Sequence, residues 1–327
     1  MKLKEQFFKQ IALRDAAKNT ARDYWGHVLK FYRFIKKPAS EWNGEDVEEW
    51  MWDLHRLDYA RKSRKSSLCA VAFVFKHVLK RDMGLLKLPP MPKERENLKT
   101  IPAREELGRI FAGLKGQVRL MAGLMYGSGL RVGECCKLRV QDIDFDARTV
   151  RVWMGKGDKS RLTVLADAVV PALLRHIEWR RALHEMDSAN GCGLVELPGR
   201  MAIKYKSANR ELRWQWLFPS TLIRGQYRWY ATDESVAKQM RAAVRAAGIM
   251  KRITPHTLRH AFATHAMRSG NDPRTVQDLL GHESLETTMI YLHADAARGF
   301  SPMDAGDPPA RSLSPSRPAL AFSESMS

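Results

Sequence analysis

Between Asn19-Thr20 and Pro38, apolar side chains recur at three- and four-residue spacing: Tyr24, Trp25, Val28, Leu29, Phe31, Tyr32 and Ile35. That period is helical, and Pro38 ends it because proline brings no amide to the hydrogen-bond ladder. Glu45 to Leu54 and Lys65 to Lys80 repeat the pattern, so residues 1–87 read as a small helical bundle. Leu88-Pro89-Pro90-Met91-Pro92-Lys93 and the charged Glu94-Arg95-Glu96-Asn97 interrupt it and form a stiff linker, 88–100. Helical spacing resumes near Pro102-Ala103-Arg104-Glu105 and passes through the apolar Leu120 to Tyr126 to a turn at Gly127-Ser128-Gly129. Thr149 to Met154 and Arg161 to Leu165 are β-type runs, joined by Gly155-Lys156-Gly157-Asp158-Lys159-Ser160 as a hairpin tip. Asn190 to Phe218 fits neither period, and we expect an insertion at about 187–216. Thr254-Pro255 and Asp272-Pro273 each read as an N-cap followed by the first helical residue; the second helix closes at Gly281. Leu285 to His293 makes a last short helix, and 301–327, rich in Pro, Ser and Ala, is expected to be a disordered tail. The fold class is therefore mainly α, with a second domain at 101–300 that holds a small β element.

Composition narrows the partner. The 327 residues include 55 Lys and Arg against 36 acids, a formal charge of +19, which favours a polyanion through counterion release. An anionic membrane is the competing reading, yet no apolar run reaches the roughly 18 residues of a span. Met1-Lys2-Leu3-Lys4-Glu5-Gln6-Phe7-Phe8 lacks the apolar core of a leader. Four cysteines, two of them adjacent as Cys135-Cys136, fit neither a zinc spacing nor an ordinary bridge and suggest a reducing cytoplasm. In the first domain, Arg61, Lys62, Arg64 and Lys65 form a basic run at a helix entrance, with DNA or plain solvent as its alternatives.

The capped starts also carry the chemistry. Thr254-Pro255 places His256, Arg259 and His260 at i, i+3 and i+4 on one helical face, and His282 follows the glycine that ends the next helix. With Arg131 upstream and Tyr291 downstream, this gives two guanidiniums, two imidazoles and a phenol. Such a set can break a phosphodiester by tyrosine attack, because phosphoryl transfer asks chiefly for alignment and neutralised charge. Planar arginines suit that task through paired hydrogen bonds, so Arg131 and Arg259 are the expected clamp. A metal site is the alternative for the histidines, but no His-Glu-x-x-His or Cys-x-x-Cys pattern is present. No cofactor is expected. Glu134 reads as a brace for a helix or an arginine, and Lys159 and Arg161 as contacts to backbone phosphates.

Gly127-Ser128-Gly129-Leu130-Arg131-x-x-Glu134, Gly155-Lys156-Gly157-x-Lys159, His256-Thr257-Leu258-Arg259-His260, Leu280-Gly281-His282 and Thr287-Thr288-x-Ile290-Tyr291 resemble the tyrosine recombinase (lambda-integrase-like) family over about residues 5 to 300. The resemblance implies a helical core-binding domain and a mainly α catalytic domain that together clamp DNA. It also implies roles: Tyr291 as nucleophile forming a 3′-phosphotyrosyl bond, Arg131 and Arg259 on the scissile phosphate, His256 in proton transfer, His282 hydrogen-bonded to the phosphate and Lys156 protonating the 5′ oxygen. Homotetramers on paired sites, without ATP or metal, belong to the same implication. Gly193 to Lys206 and Trp214 to Ser220 are most similar to the integron integrases, in which an insertion receives bases flipped from a folded single strand. That likeness puts Trp153 and Trp214 forward as stacking platforms, although Tyr227-Arg228-Trp229-Tyr230 departs from the Arg-Arg-His-His usual there. Competing readings are a recombinase of ordinary duplex sites, a type IB topoisomerase, and a DNA-binding regulator without chemistry.

Overall fold

A computed structural model of the protein describes residues 2–14, 18–91, 100–153, 160–198, 201–205, 207–282 and 284. The chain divides between Asn97 and Leu98 into two compact units, within the segment expected to be a linker. The first unit contains α1 (Lys2–Ala12), α2 (Lys18–Ile35), α3 (Gly44–Arg56) and α4 (Arg61–Phe73). A π-helical turn, Val74–Leu79, extends α4 until Lys80 takes a left-handed backbone at φ 55°. Asn43 starts α3 with a reciprocal cap: its side chain accepts from the Asp46 amide while the Asp46 carboxylate accepts from its own amide. Phe7, Phe31, Trp42, Met51, Val71 and Phe75 fill the core, with Phe31 edge-on to Trp42 at 4.9 Å. The amphipathic α1, which buries Phe7 and Ile11, was not expected. Helix α4 begins four residues earlier than the apolar spacing suggests, because Ala60 supplies no capping side chain to mark the start. That start turns Arg64, Ser67, Ala70 and Val71 inward.

In the second unit, α5 (Arg104–Gly113), α6 (Gly116–Gly127) and α7 (Val132–Cys136) lead to an antiparallel sheet of β1 (Ile143–Asp144), β2 (Thr149–Val152) and β3 (Arg161–Val164). Val150 pairs with Ile143 on one side and Thr163 on the other, which directs Val150 and Val152 into the core. After α8 (Val170–Ala189) come a four-residue helix, α9 (Met201–Lys204), and a hairpin of β4 (Pro219–Arg224) and β5 (Tyr227–Tyr230). The unit closes with α10 (Asp233–Ala246), α11 (Pro255–Arg268) and α12 (Pro273–Leu280). Helix α6 is apolar on nearly every side and buries Leu120, Met121, Leu124 and Met125 against its neighbours, α11 among them. Thr254 and Asp272 are the N-caps expected, and Gly281 ends α12 at φ 63°.

The segment expected to be an insertion, about 187–216, follows the end of α8. Besides α9 it holds 3-10 turns around a satellite core of Val195, Leu197, Ala208, Trp214 and Trp216. A buried ion pair, Arg228 with Asp187, fastens β5 to the end of α8. The β4–β5 hairpin has no counterpart in the sequence reading.

Candidate active site

The site grows from Glu134. Arg131 is the N-cap of α7, and its backbone N–H donates to Glu134 Oε2 at 2.8 Å while its guanidinium donates to Oε1 at 2.7 Å. From β3, Arg161 makes a two-pronged contact to the same carboxylate, at 3.0 and 2.8 Å, and donates its Nε–H to the Leu279 carbonyl. From α11, Arg259 reaches in to 3.7 Å of Glu134 and donates to the carbonyls of Gly129 and Leu280, both at 2.6 Å. Three elements distant in sequence thus place guanidiniums around one anion. Burial alone would raise the Glu134 carboxyl, but the charge and hydrogen bonds of Arg161, with the Arg131 contacts, hold it at about 2. The carboxylate stays ionised, and in a half-buried setting it offsets the mutual repulsion of the arginines.

The arginines differ in exposure. Arg259 is 3% exposed, whereas the Arg131 side chain keeps 38% of its surface. Arg131 therefore presents the outer charge and Arg259 the fixed inner one. Gly129 makes the inner contact possible: at φ 66° it turns its carbonyl toward Arg259, and a Cβ there would lie 2.6 Å from the Phe262 ring. Gly281, at φ 63°, ends α12 against the Arg161 stem, where a Cβ would lie 2.8 Å from Arg161 Cδ. Just beyond it, the His282 backbone and the Gln277 carboxamide and carbonyl exchange hydrogen bonds of 3.1 and 3.0 Å. His256 lies one helical turn before Arg259, with part of its surface open to solvent and part covered. Its pKa is lowered by burial first and then by Arg259 and Arg131, so the imidazole is neutral at pH 7.

Of the expected site residues, Arg131 caps α7, His256 and Arg259 lie in the first turns of α11, and His282 follows α12. Lys156, Lys159 and Tyr291 lie outside the described residues. Arg161, expected on phosphate, is instead the principal partner of Glu134, with only 8% of its side chain exposed; the sequence did not show that β3 runs beside α12. Arg64 is likewise corrected: at 2% exposure it bonds His55 Nδ1 at 2.9 Å and serves the first core, while Arg61, Lys62 and Lys65 remain on the surface. Trp214 is 6% exposed inside the satellite core and shows no open face to a base. Trp153 is 41% exposed.

Aromatic surface lies elsewhere in the second unit, at the end of the segment expected to be an insertion and on β5. Trp216, Tyr227 and Trp229 line a cavity of about 630 Å³ with Val195, Leu197 and Arg228. The Trp229 indole N–H is buried with no acceptor among the described residues, and the Arg224 guanidinium lies 5.4 Å from its ring. The Tyr227-Arg228-Trp229-Tyr230 departure is thus a strand that turns alternate aromatic side chains toward this cavity. No group of metal-binding side chains occurs among the described residues.

Known proteins align with both units. The phage integrase family matches residues 103–298, and the phage integrase N-terminal SAM-like domain matches residues 3–85. An integrase/recombinase of Escherichia coli is 35% identical over 321 residues, 94% of this chain and 95% of that protein. A tyrosine recombinase XerC of Halalkalibacterium halodurans is 32% identical over 264 residues, 77% of this chain and 78% of its own. Among solved structures, the XerH site-specific recombinase bound to palindromic difH substrate, in a post-cleavage complex, gives a TM-score of 0.62 at 21% identity, covering 87% of this chain and 79% of that one. That last likeness is one of fold.

Proposed function

This chain belongs to the phage integrase family and is a tyrosine-type site-specific DNA recombinase, and we propose that it is of the integron integrase type, exchanging gene cassettes through folded single-stranded sites. In the proposed reaction the Tyr291 phenol oxygen attacks the scissile phosphorus. A phosphorus–tyrosine bond forms, the phosphorus–5′ oxygen bond breaks, and the DNA 3′ end stays joined to the protein. Lys156 gives a proton to the departing 5′ oxygen, and His256, neutral at pH 7, receives the phenolic proton. Arg131, Arg259 and His282 hold the non-bridging oxygens. Reversal by another 5′ hydroxyl rejoins the strands, since the phosphotyrosyl bond keeps the phosphodiester energy and calls for neither ATP nor metal. Arg61, Lys62, Lys65 and Lys159 bear on phosphates away from the reacting one, and four protomers assemble on paired sites.

The observation that carries the integron reading is the cavity of Trp216, Tyr227 and Trp229 with its unpartnered indole N–H. A folded strand and a duplex present similar phosphates, so charge alone does not separate them. Unpaired bases add open π-faces and edges; stacking is worth about 1–3 kcal/mol per base, and a buried donor gains from finding an acceptor. The test compares binding of either folded strand of a cassette site and of its duplex at one salt concentration. We expect one strand to bind about tenfold or more tightly than the others, the equivalent of a single stacked base. Trp229→Ala should shrink that preference and spare duplex binding. Equal affinity for all three DNAs, with Trp229→Ala neutral, makes this a recombinase of ordinary duplex sites.

A further inference from the structure

A helix leaves its last carbonyls without partners inside the helix, and its C-terminal end carries partial negative charge. At the end of α12, just before His282, two of these carbonyls are taken up by guanidiniums from other elements. Arg161, from β3, donates its Nε–H to the Leu279 carbonyl at 3.0 Å, and Arg259, from α11, donates to the Leu280 carbonyl at 2.6 Å. The other two nitrogens of Arg161 fork onto Glu134 at 3.0 and 2.8 Å, so one side chain joins the last turn of α12 to α7. Its stem packs against Gly281, whose left-handed backbone lets the His282 amide return to the Gln277 carbonyl at 3.1 Å. The direction in which His282 leaves α12 is therefore set at a turn that Arg161 both bonds and packs against. Each of the three Arg161 nitrogens donates within the protein, and 8% of the side chain is exposed, which suits a brace better than a contact to DNA.

We propose that Arg161 is a positioning residue for His282: by tying the last turn of α12 to Glu134, it fixes His282 relative to Arg131, which bonds the same carboxylate. The task needs a planar fork and a third donor on one side chain. A lysine at this position keeps the charge but cannot reproduce the forked contact to Glu134 together with the bond to Leu279. This rests on the reading of His282 as a contact to the scissile phosphate.

The experiment is a double-mutant cycle: single-turnover cleavage, on a strand that the unaltered protein cleaves, by Arg161→Lys, His282→Ala and the two combined. Arg161→Gln, which keeps a planar donor and drops the charge, repeats the cycle, so the answer stands even where the lysine variant folds poorly. We expect Arg161→Lys to lose about 100-fold, the effect of misplacing a reacting group by about 1 Å, with DNA binding unchanged. His282→Ala should lose a similar factor, that of one hydrogen-bond donor to a developing charge. If Arg161 acts through His282, the combined variant falls no further than His282→Ala alone, whereas independent losses multiply to about 10,000-fold. A general weakening of the fold would also multiply. Multiplied losses therefore overturn the positioning role and leave His282 on the phosphate, and full activity of both Arg161 variants does the same. Full activity of His282→Ala removes His282 from the phosphate and the role of Arg161 with it.

Discussion

Glu134 is the residue on which the site depends, because it is the anion that lets Arg131, Arg161 and Arg259 converge. Its lowered pKa fixes the sign of its pH dependence. A carboxylate at about 2 instead of 4.5 contributes stability that is fully present above 4.5 and is lost as pH falls from there toward 2. Glu134→Gln should therefore lower stability by about 3 kcal/mol at pH 7, as expected for removing one partner of a buried ion cluster, and should flatten the acid slope in that window. Urea unfolding at pH 7 and between pH 5 and 3 checks both; an unaltered slope would remove Glu134 from the account. His256 carries the second pH effect. Its folded pKa lies below 6.5, so the neutral form, which would accept the phenolic proton in the proposed reaction, persists as pH falls past 6.5. Single-turnover cleavage should show its acid limb at a midpoint below 6.5, and His256→Ala should lose that limb together with most of the rate. A midpoint above 6.5 would contradict the environment described for this imidazole.

Helix ends do most of the positioning. Gly129 after α6, Arg131 before α7 and His282 after α12 are all turn residues, and Gly129→Ala tests how far the turn matters. A methyl at φ 66° and 2.6 Å from the Phe262 ring should cost on the order of 3 kcal/mol through strain and a forced shift of α11, read by thermal melting. A near-neutral change would mean that the Gly129 carbonyl is not what holds Arg259. These same elements explain what the sequence made legible. Caps such as Thr254 and Asp272 act through their own neighbours within three residues, so the faces bearing His256 and Arg259 could be read directly. Arg64, Arg161 and Trp214 could not, because their partners, His55, Glu134 and the Val195–Trp216 core, come from other segments. The β4–β5 hairpin escaped for a related reason. Its strand Tyr227–Tyr230 buries Arg228 through an ion pair with Asp187, and an arginine in that position gives no alternation of apolar and polar residues to recognise.

At the scale of the whole molecule, a formal charge of +19 favours a polyanion such as DNA, and the second unit gathers Arg131, Arg161 and Arg259 around Glu134. The long-range pairing of Glu134 with β3 and α11 holds Arg131, Arg161 and Arg259 together, and Trp216, Tyr227 and Trp229 line a separate aromatic cavity. The central claim is that this arrangement delivers a phosphate to Tyr291. The most direct test incubates the protein with a folded strand nicked close to the cleavage point, so that the released fragment diffuses away and the covalent product accumulates. The adduct is then digested and located by mass spectrometry. The account predicts a nucleotide joined through its 3′ phosphate to the peptide that contains Tyr291, and no adduct from Tyr291→Phe although that variant binds the strand normally. An adduct on any other residue, or an undiminished adduct from Tyr291→Phe, would contradict it.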